Sequence, residues 1–269
     1  MLGAGLLGRA SLWLYCLLVF AFLVRPIFVI VPLSFSAGAF LHFPLPGLSL
    51  RWYERLIEHE IWRVTLKNSL IVGAIATVLA TGLGTLAAMG LSRARFPGKG
   101  LLMALMLAPM IVPVIIVAIG AYFFYRPLGL TGSLWGLAIA HAVLGAPFVL
   151  VTVSATLGAL DPSLVRAAQG LGASPWVAFR KVTLPIIAPG VVSGALFAFV
   201  ASFDEVVVAL FLTGPAQRTL PRQMFDGIRE EISPEILAAA TVLVALAVAL
   251  LVVAELLRRR SARLRGLAP

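Results

Sequence analysis

The stretch VRAAQGLGASPWVAFRKVTLP, Val165–Pro185, is a basic, sharply punctuated segment set between two apolar runs at 133–157 and 186–213. Each run is near the ~20 residues that a helix needs to cross a bilayer, so the polar segment between them leaves the membrane and returns to it. Further apolar stretches of spanning length occur at 11–35, 65–91, 101–125 and 235–257. The pattern predicts an all-α, polytopic membrane protein with about six transmembrane helices in a single domain, 1–269. No alternating strands of ~10 residues occur, and only helices or closed barrels satisfy the backbone in hydrocarbon.

Composition agrees. The chain is 61% hydrophobic and 12% charged, against roughly 45–50% and 25% in soluble domains. Cys16 is the single cysteine and lies in an apolar run, which excludes an intrachain disulfide, a cysteine-rich metal cluster or a thiol-pair redox motif. The run from Leu12 to Phe35 exceeds the ~7–15-residue core of a signal peptide and reads as a retained first helix. Small residues recur in GAIATVLATGLG at 73–84 and permit close helix packing.

The net charge of +10 is distributed by side. One set of loops and ends carries Arg9, Arg93, Arg95, Lys99, Arg166, Arg180, Lys181 and the tail RRRSARLR at 258–265, opposed only by Asp161 and Glu255. On the other side the basic residues are nearly balanced by Glu54, Glu58, Glu60, Asp226, Glu230, Glu231 and Glu235. The positive-inside rule then puts both termini in the cytoplasm, with the tail against anionic lipid headgroups and no role for nucleic acid. Two long outer segments, 35–63 and 213–234, have amphipathic character, with Trp52, Tyr53 and Trp62 suited to the membrane interface.

The cytoplasmic loop at 158–185 reads as two short helices. Asp161-Pro162 starts the first, whose Leu164, Val165, Ala168 and Leu171 share a face, and Gly170 and Gly172 end it. Ser174-Pro175 starts the second, presenting Trp176, Phe179 and Val182, before Leu184-Pro185 delivers the chain to the next span. Such a pair suits the groove of a soluble partner, or lies on lipid as an interfacial device. Close flanking spans argue against a DNA-binding helix-turn-helix, and GLG at 170–172 follows no strand and lacks the dinucleotide spacing.

Charges within the spans are costly and mark function by default. Asp204 and Glu205 fall inside the fifth apolar run, at a depth comparable to Arg25 in the first and His141 in the fourth. Asp204, with Glu205, lines a pathway and attracts a cation, or pairs with Arg25 to hold two spans together. His141, without evident metal-ligand partners, reads as a hydrogen-bonded packing residue. The aromatic run Tyr122–Tyr125 reads as an interfacial belt. The sequence has no P-loop, HExxH or nucleophile elbow, so no catalytic constellation is present in it.

RAAQGLGASPWVAFRKVTLP resembles the cytoplasmic signature of binding-protein-dependent ABC importer permeases, with Ala167, Ala168, Gly172, Leu184 and Pro185 at matching positions. Arg166 stands where that pattern has glutamate. The resemblance covers almost the whole chain. It implies the type I permease fold in a bacterial inner membrane, with 158–185 forming coupling helices for an ATPase dimer that carries ATP and Mg, no cofactor being bound by this chain. A homologous sister permease subunit and a solute-binding protein are the other implied partners. FAFVASFDEVVVALFLTGPAQRTLPRQMFDGIREEISPEILAAAT, 197–241, is similar to the polyamine type, for spermidine and putrescine, and to its second membrane subunit. Importers of other small amines, amino acids or opine-like solutes share much of it; an ion-coupled secondary transporter is the rival from another class.

Overall fold

The computed structural model describes residues 2–41, 44–94, 96–230 and 233–264. Arg95, Glu231, the side chain of Arg93 and the side chains of the tail at 258–265 lie outside what is described. The elements are α1 (Leu2–Ser34), α2 (Arg51–Glu58), α3 (Glu60–Arg93), α4 (Lys99–Ile111), α5 (Val114–Tyr125), α6 (Leu134–Gly158), α7 (Pro162–Gly170), α8 (Pro175–Ala178), α9 (Leu184–Phe203), α10 (Val207–Leu212), α11 (Leu220–Glu230) and α12 (Pro234–Leu264). Among the described residues no strand occurs, only an isolated bridge between Ser36 and Leu48. Among the described residues four continuous helices are long and apolar enough to cross a membrane, and α4 with α5 makes a fifth candidate bent by 104°. The sixth expected span lies within α12, whose described apolar part is shorter, Pro234–Ala249.

Three departures from the expected spans have local causes. The third span breaks because Pro113 has no N–H to donate and forces Val112 into extended backbone, at ψ 132°. The fifth ends at Phe203 instead of 213: Glu205 Oε1 accepts the Val208 N–H at 3.0 Å, taking the donor that a continuing helix would need. Conversely, α8 is no separate short helix. It runs through a π turn, Phe179–Thr183, into α9, so that Pro175–Phe203 is one helix of 29 residues. Pro185 explains the π turn, because a proline inside an α-helix crowds the carbonyl four residues back; Leu184 N–H reaches instead to Phe179 O.

The chain divides into two compact units. One comprises Met1–Glu60 and Asp226–Leu246, the other Ile61–Phe225 and Ala247–Pro269. In the first, α2 is held to the end of α1: Trp52 Nε1 donates to Ser36 O at 2.7 Å, and Tyr53 OH and Ser34 Oγ are 2.6 Å apart. Trp52 is buried, not set out toward an interface, as is Trp62 of the second unit, and the Arg51 and Arg55 guanidinium groups lie 4.4 and 4.9 Å from the Trp52 ring. His59 Nδ1 approaches Glu235 Oε1 at 3.7 Å.

The second unit has its core where α3, α6 and α9 meet, built from Ala76, Ala80, Ala88, Val149, Leu150, Val153, Ile187 and Ala198. Lipid gives helices no hydrophobic drive to associate, so small residues that admit close contact decide the packing. A Cβ at Gly190 would lie 2.7 Å from Thr152 O, and one at Gly194 2.7 Å from Val149 Cα. A second cluster joins α10 to α5 and α6 through Val208, Ala209, Leu212, Ala118, Tyr125 and Leu137. Tyr125 is therefore buried, while Phe123 and Phe124 stay exposed as the aromatic belt would have them. Gly194→Leu is expected to destabilise the purified protein by about 3 kcal/mol or to prevent assembly. Gly82→Leu, where the added Cβ meets open space, should leave the thermal transition in detergent unchanged.

Candidate functional site

Two places carry candidate residues. In the first, Asp161 caps α7 by accepting the Ser163 N–H at 2.8 Å, with Pro162 in the first turn. That backbone bond, then the Ser163 hydroxyl and finally the nearby Arg166 charge hold the Asp161 carboxyl below its usual range. At the other end of α7, Gly172 N–H donates to Gln169 O and Ala173 N–H to Ala168 O, with Gly172 at φ +87°. This is a Schellman motif and requires glycine. Ser174 Oγ accepts the Val177 N–H at 3.4 Å and caps α8.

The predicted docking residues fall on this surface unequally. Arg166, Ala167, Trp176, Leu184 and Pro185 are exposed; Ala168 and Phe179 are half-buried, with the Trp176 and Phe179 rings 5.5 Å apart. Of the four apolar residues expected on one face of α7, Val165 turns inward, while Leu171 is 90% exposed and Leu164 is also exposed. Leu164, Leu171, Trp176 and Val177 thus form an uncovered apolar surface edged by the exposed Arg166, Arg180 and Lys181.

The second place is a cavity of about 340 Å³ lined by Pro109, Met110, Val114, Leu144, Phe148, Val200, Ala201, Asp204 and Glu205. It lies where both helix breaks meet, between α4 and α5 and between α9 and α10. Helices α4 and α9 end at it, and a helix C-terminus carries partial negative charge. Asp204 caps α9 and is exposed; its carboxylate has no hydrogen bond or ion pair with the described residues. The neighbouring Glu205 spends one oxygen on Val208. The arrangement attracts a cation and offers an apolar wall, with Phe148 stacked on Phe197 at 6.2 Å. Arg25 is exposed on α1 and belongs to the other unit. Among the described residues no group of three His, Cys, Asp or Glu is placed to hold a metal ion.

His141 is buried, and its Nδ1 lies 2.9 Å from Ser202 Oγ, so it is a hydrogen-bonded residue between α6 and α9 as expected. Arg222 was not legible beforehand. It donates to Thr213 O, Thr213 Oγ1 and, at 3.3 Å, Ala209 O, placing a cation at the C-terminus of α10, whose N-terminus Glu205 caps. Asn68 Nδ2 donates to Ala216 O and Arg218 O at 3.1 and 3.0 Å, and Ser69 Oγ accepts the Leu220 N–H, tying the following loop to α3. A basic residue shortly after a span was the only sequence signal for Arg222.

The profile of the family described as binding-protein-dependent transport system inner membrane component matches residues 80–265. Spermidine/putrescine transport system permease protein PotC of Haemophilus influenzae is 33% identical, over 92% of this chain and 96% of its own. Putrescine transport system permease protein PotI of Escherichia coli is 34% identical over 84% of this chain and 83% of its own. The fold is similar to that of a chain from a bacterial ABC transporter involved in the import of the acidic polysaccharide alginate, with a TM-score of 0.73 over 94% of this chain and 95% of that one, at 16% identity. The likeness gives the type I importer permease fold expected from the sequence.

Because the folded pKa of Asp161 is lowered, its cap is fully present above the unfolded value and is lost as pH falls through the folded one. Amide protection in α7, corrected for intrinsic exchange, should therefore hold from neutral pH down to roughly pH 4 and fall only below it. Asp161→Asn, which caps without titrating, should remove that dependence.

Proposed function

Because the chain belongs to the family of binding-protein-dependent transport system inner membrane components, we propose that it is a permease subunit of an ATP-driven importer of polyamines of the spermidine and putrescine class. The observation that carries the substrate class is the free Asp204 carboxylate in a cavity onto which two helix C-termini converge. A polyamine presents ammonium groups separated by methylenes. The carboxylate and helix ends suit an ammonium group, and Met110, Val114, Leu144 and Phe148 suit the methylenes. The relatives whose names specify spermidine and putrescine support the same class; another small amine, amino acid or opine-like solute is the alternative.

In this reading the cavity is one wall of a pathway shared with a homologous sister permease chain. A solute-binding protein delivers the amine from outside. ATP and Mg are held by an ATPase dimer, and the surface of Leu164, Leu171, Trp176 and Val177 sits in a cleft of that dimer. Closure of the ATPase moves this surface, and access to Asp204 alternates between the two sides of the membrane. Both termini face the cytoplasm, as the basic loops require. Arg166 directs the ATPase contact toward a neutral or acidic rim.

Asp204→Asn removes a charge-assisted bond and should lower amine uptake by reconstituted complex about tenfold to a hundredfold, with assembly intact. Amine-stimulated ATP hydrolysis measures both the loss and the preferred amine. A complete transporting complex that lacks an ATP-binding subunit would overturn the importer reading. Arg166→Glu should reduce recovery of the ATPase with the permease at low ionic strength more than at high salt.

A further inference from the structure

Helices α6 and α9 meet as an antiparallel ladder. From the Gly158 end of α6 the facing positions are Thr156 and Thr152 with Gly190, Val149 with Gly194, and Gly145 with Ala198. The next rung is His141 with Ser202. The first three rungs bring the backbones together through glycine, whereas the fourth puts an imidazole between the helices. Beside this rung the cavity opens: Leu144 and Phe148 of α6 and Val200 and Ala201 of α9 line it, and Asp204 follows Ser202 by two residues.

Packing does not account for an imidazole here. His141 has no exposed surface, and its Nε2 is buried without a hydrogen-bond partner among the described residues. Leucine or phenylalanine would fill the space with no unpaired nitrogen. What only a polar side chain supplies is the bond to Ser202, in the last turn of α9. Phe203, next along, is buried and stacked on Phe199 of the preceding turn at 5.4 Å, which stiffens the end of α9 from within.

We infer that His141 is a positioning residue: through Ser202 it fixes the last turn of α9 and so aims the Asp204 carboxylate into the cavity. The inference rests on the reading of Asp204 as the amine ligand. It assigns no proton transfer to His141, only the orientation of a neighbouring group.

The test uses the complete reconstituted complex, with uptake normalised to assembled transporter. Ser202→Ala and His141→Leu should each raise the half-saturating amine concentration about five- to tenfold. His141→Asn keeps a hydrogen-bonding atom near the Nδ1 position and should stay within about twofold of the parent. In an Asp204→Asn background Ser202→Ala should add nothing, which a general packing defect would not produce. Unchanged half-saturation in Ser202→Ala, or an Asn variant as impaired as the Leu variant, overturns the inference. A parent complex that carries no amine sinks the functional reading instead. The positioning claim is then decided by the labelling rate of Asp204→Cys with a cationic methanethiosulfonate in a Cys16→Ser background. Ser202→Ala must change that rate about fivefold or more for the claim to stand.

Discussion

At Gly194 the backbone of α9 lies so close to α6 that an added Cβ would fall 2.7 Å from Val149 Cα. The rest of the second unit depends on this contact. In lipid, apolar side chains gain nothing by leaving one apolar surrounding for another, so association rests on dispersion between well-fitted surfaces. The threonines along the seam do not spoil the fit. Thr152 Oγ1 donates to Phe148 O and Thr156 Oγ1 to Val153 O, each at 2.9 Å and each within α6, so the hydroxyls that face Gly194 and Gly190 already have partners in their own helix. A close seam fixes α9 relative to α6, and Asp204 caps the end of α9.

Breaks in spanning helices free backbone groups, which hydrocarbon cannot satisfy. The two breaks here occur side by side at one cavity, so freed carbonyls at the ends of α4 and α9 face a space that can hold water or a ligand. The short α10 beyond the second break would be marginal alone, at six residues. Glu205 at its N-terminus, Arg222 at its C-terminus and the packing of Val208, Ala209 and Leu212 together hold it. The same carboxylate that stops α9 from continuing therefore begins the element that follows it.

What was legible in the sequence and what was not divide along physical lines. Span length and composition depend on local hydropathy, so the apolar runs were found, and the cap at Asp161-Pro162 and the glycine stop at Gly172 rest on short-range chemistry. The boundaries failed where a competing interaction decides them. Nothing in the apolar run 186–213 signals that Glu205 will take the Val208 N–H. Pro185 read as the start of a new span, because a proline near an apolar run usually marks a boundary; the π turn that admits it into a continuing helix is invisible in residue types alone. Trp52 and Trp62 looked interfacial because tryptophan often is, but burial of Trp52 depends on Ser36 O, sixteen positions away.

The correction at Pro185 changes the mechanical picture. Two hinged helices at 158–185 would absorb a push from a partner in their own bend. A single helix from Pro175 to Phe203 is about 43 Å long at 1.5 Å per residue, and it carries displacement along its axis with little loss. Trp176 stands at one end, on the uncovered apolar surface, and Asp204 caps the other, in the cavity. The π turn lies in the first third of this rod, ahead of the seam in which Gly190 and Gly194 hold it against α6. Bending is therefore confined to the part of the helix that lies before the seam. The seam continues from Gly194 through Ala198 to the His141–Ser202 bond, so from Gly190 onward the helix is held to α6 as one body. A displacement at Trp176 is therefore either taken up at the π turn or passed to α6 and α9 together, with Asp204 keeping its place relative to the seam.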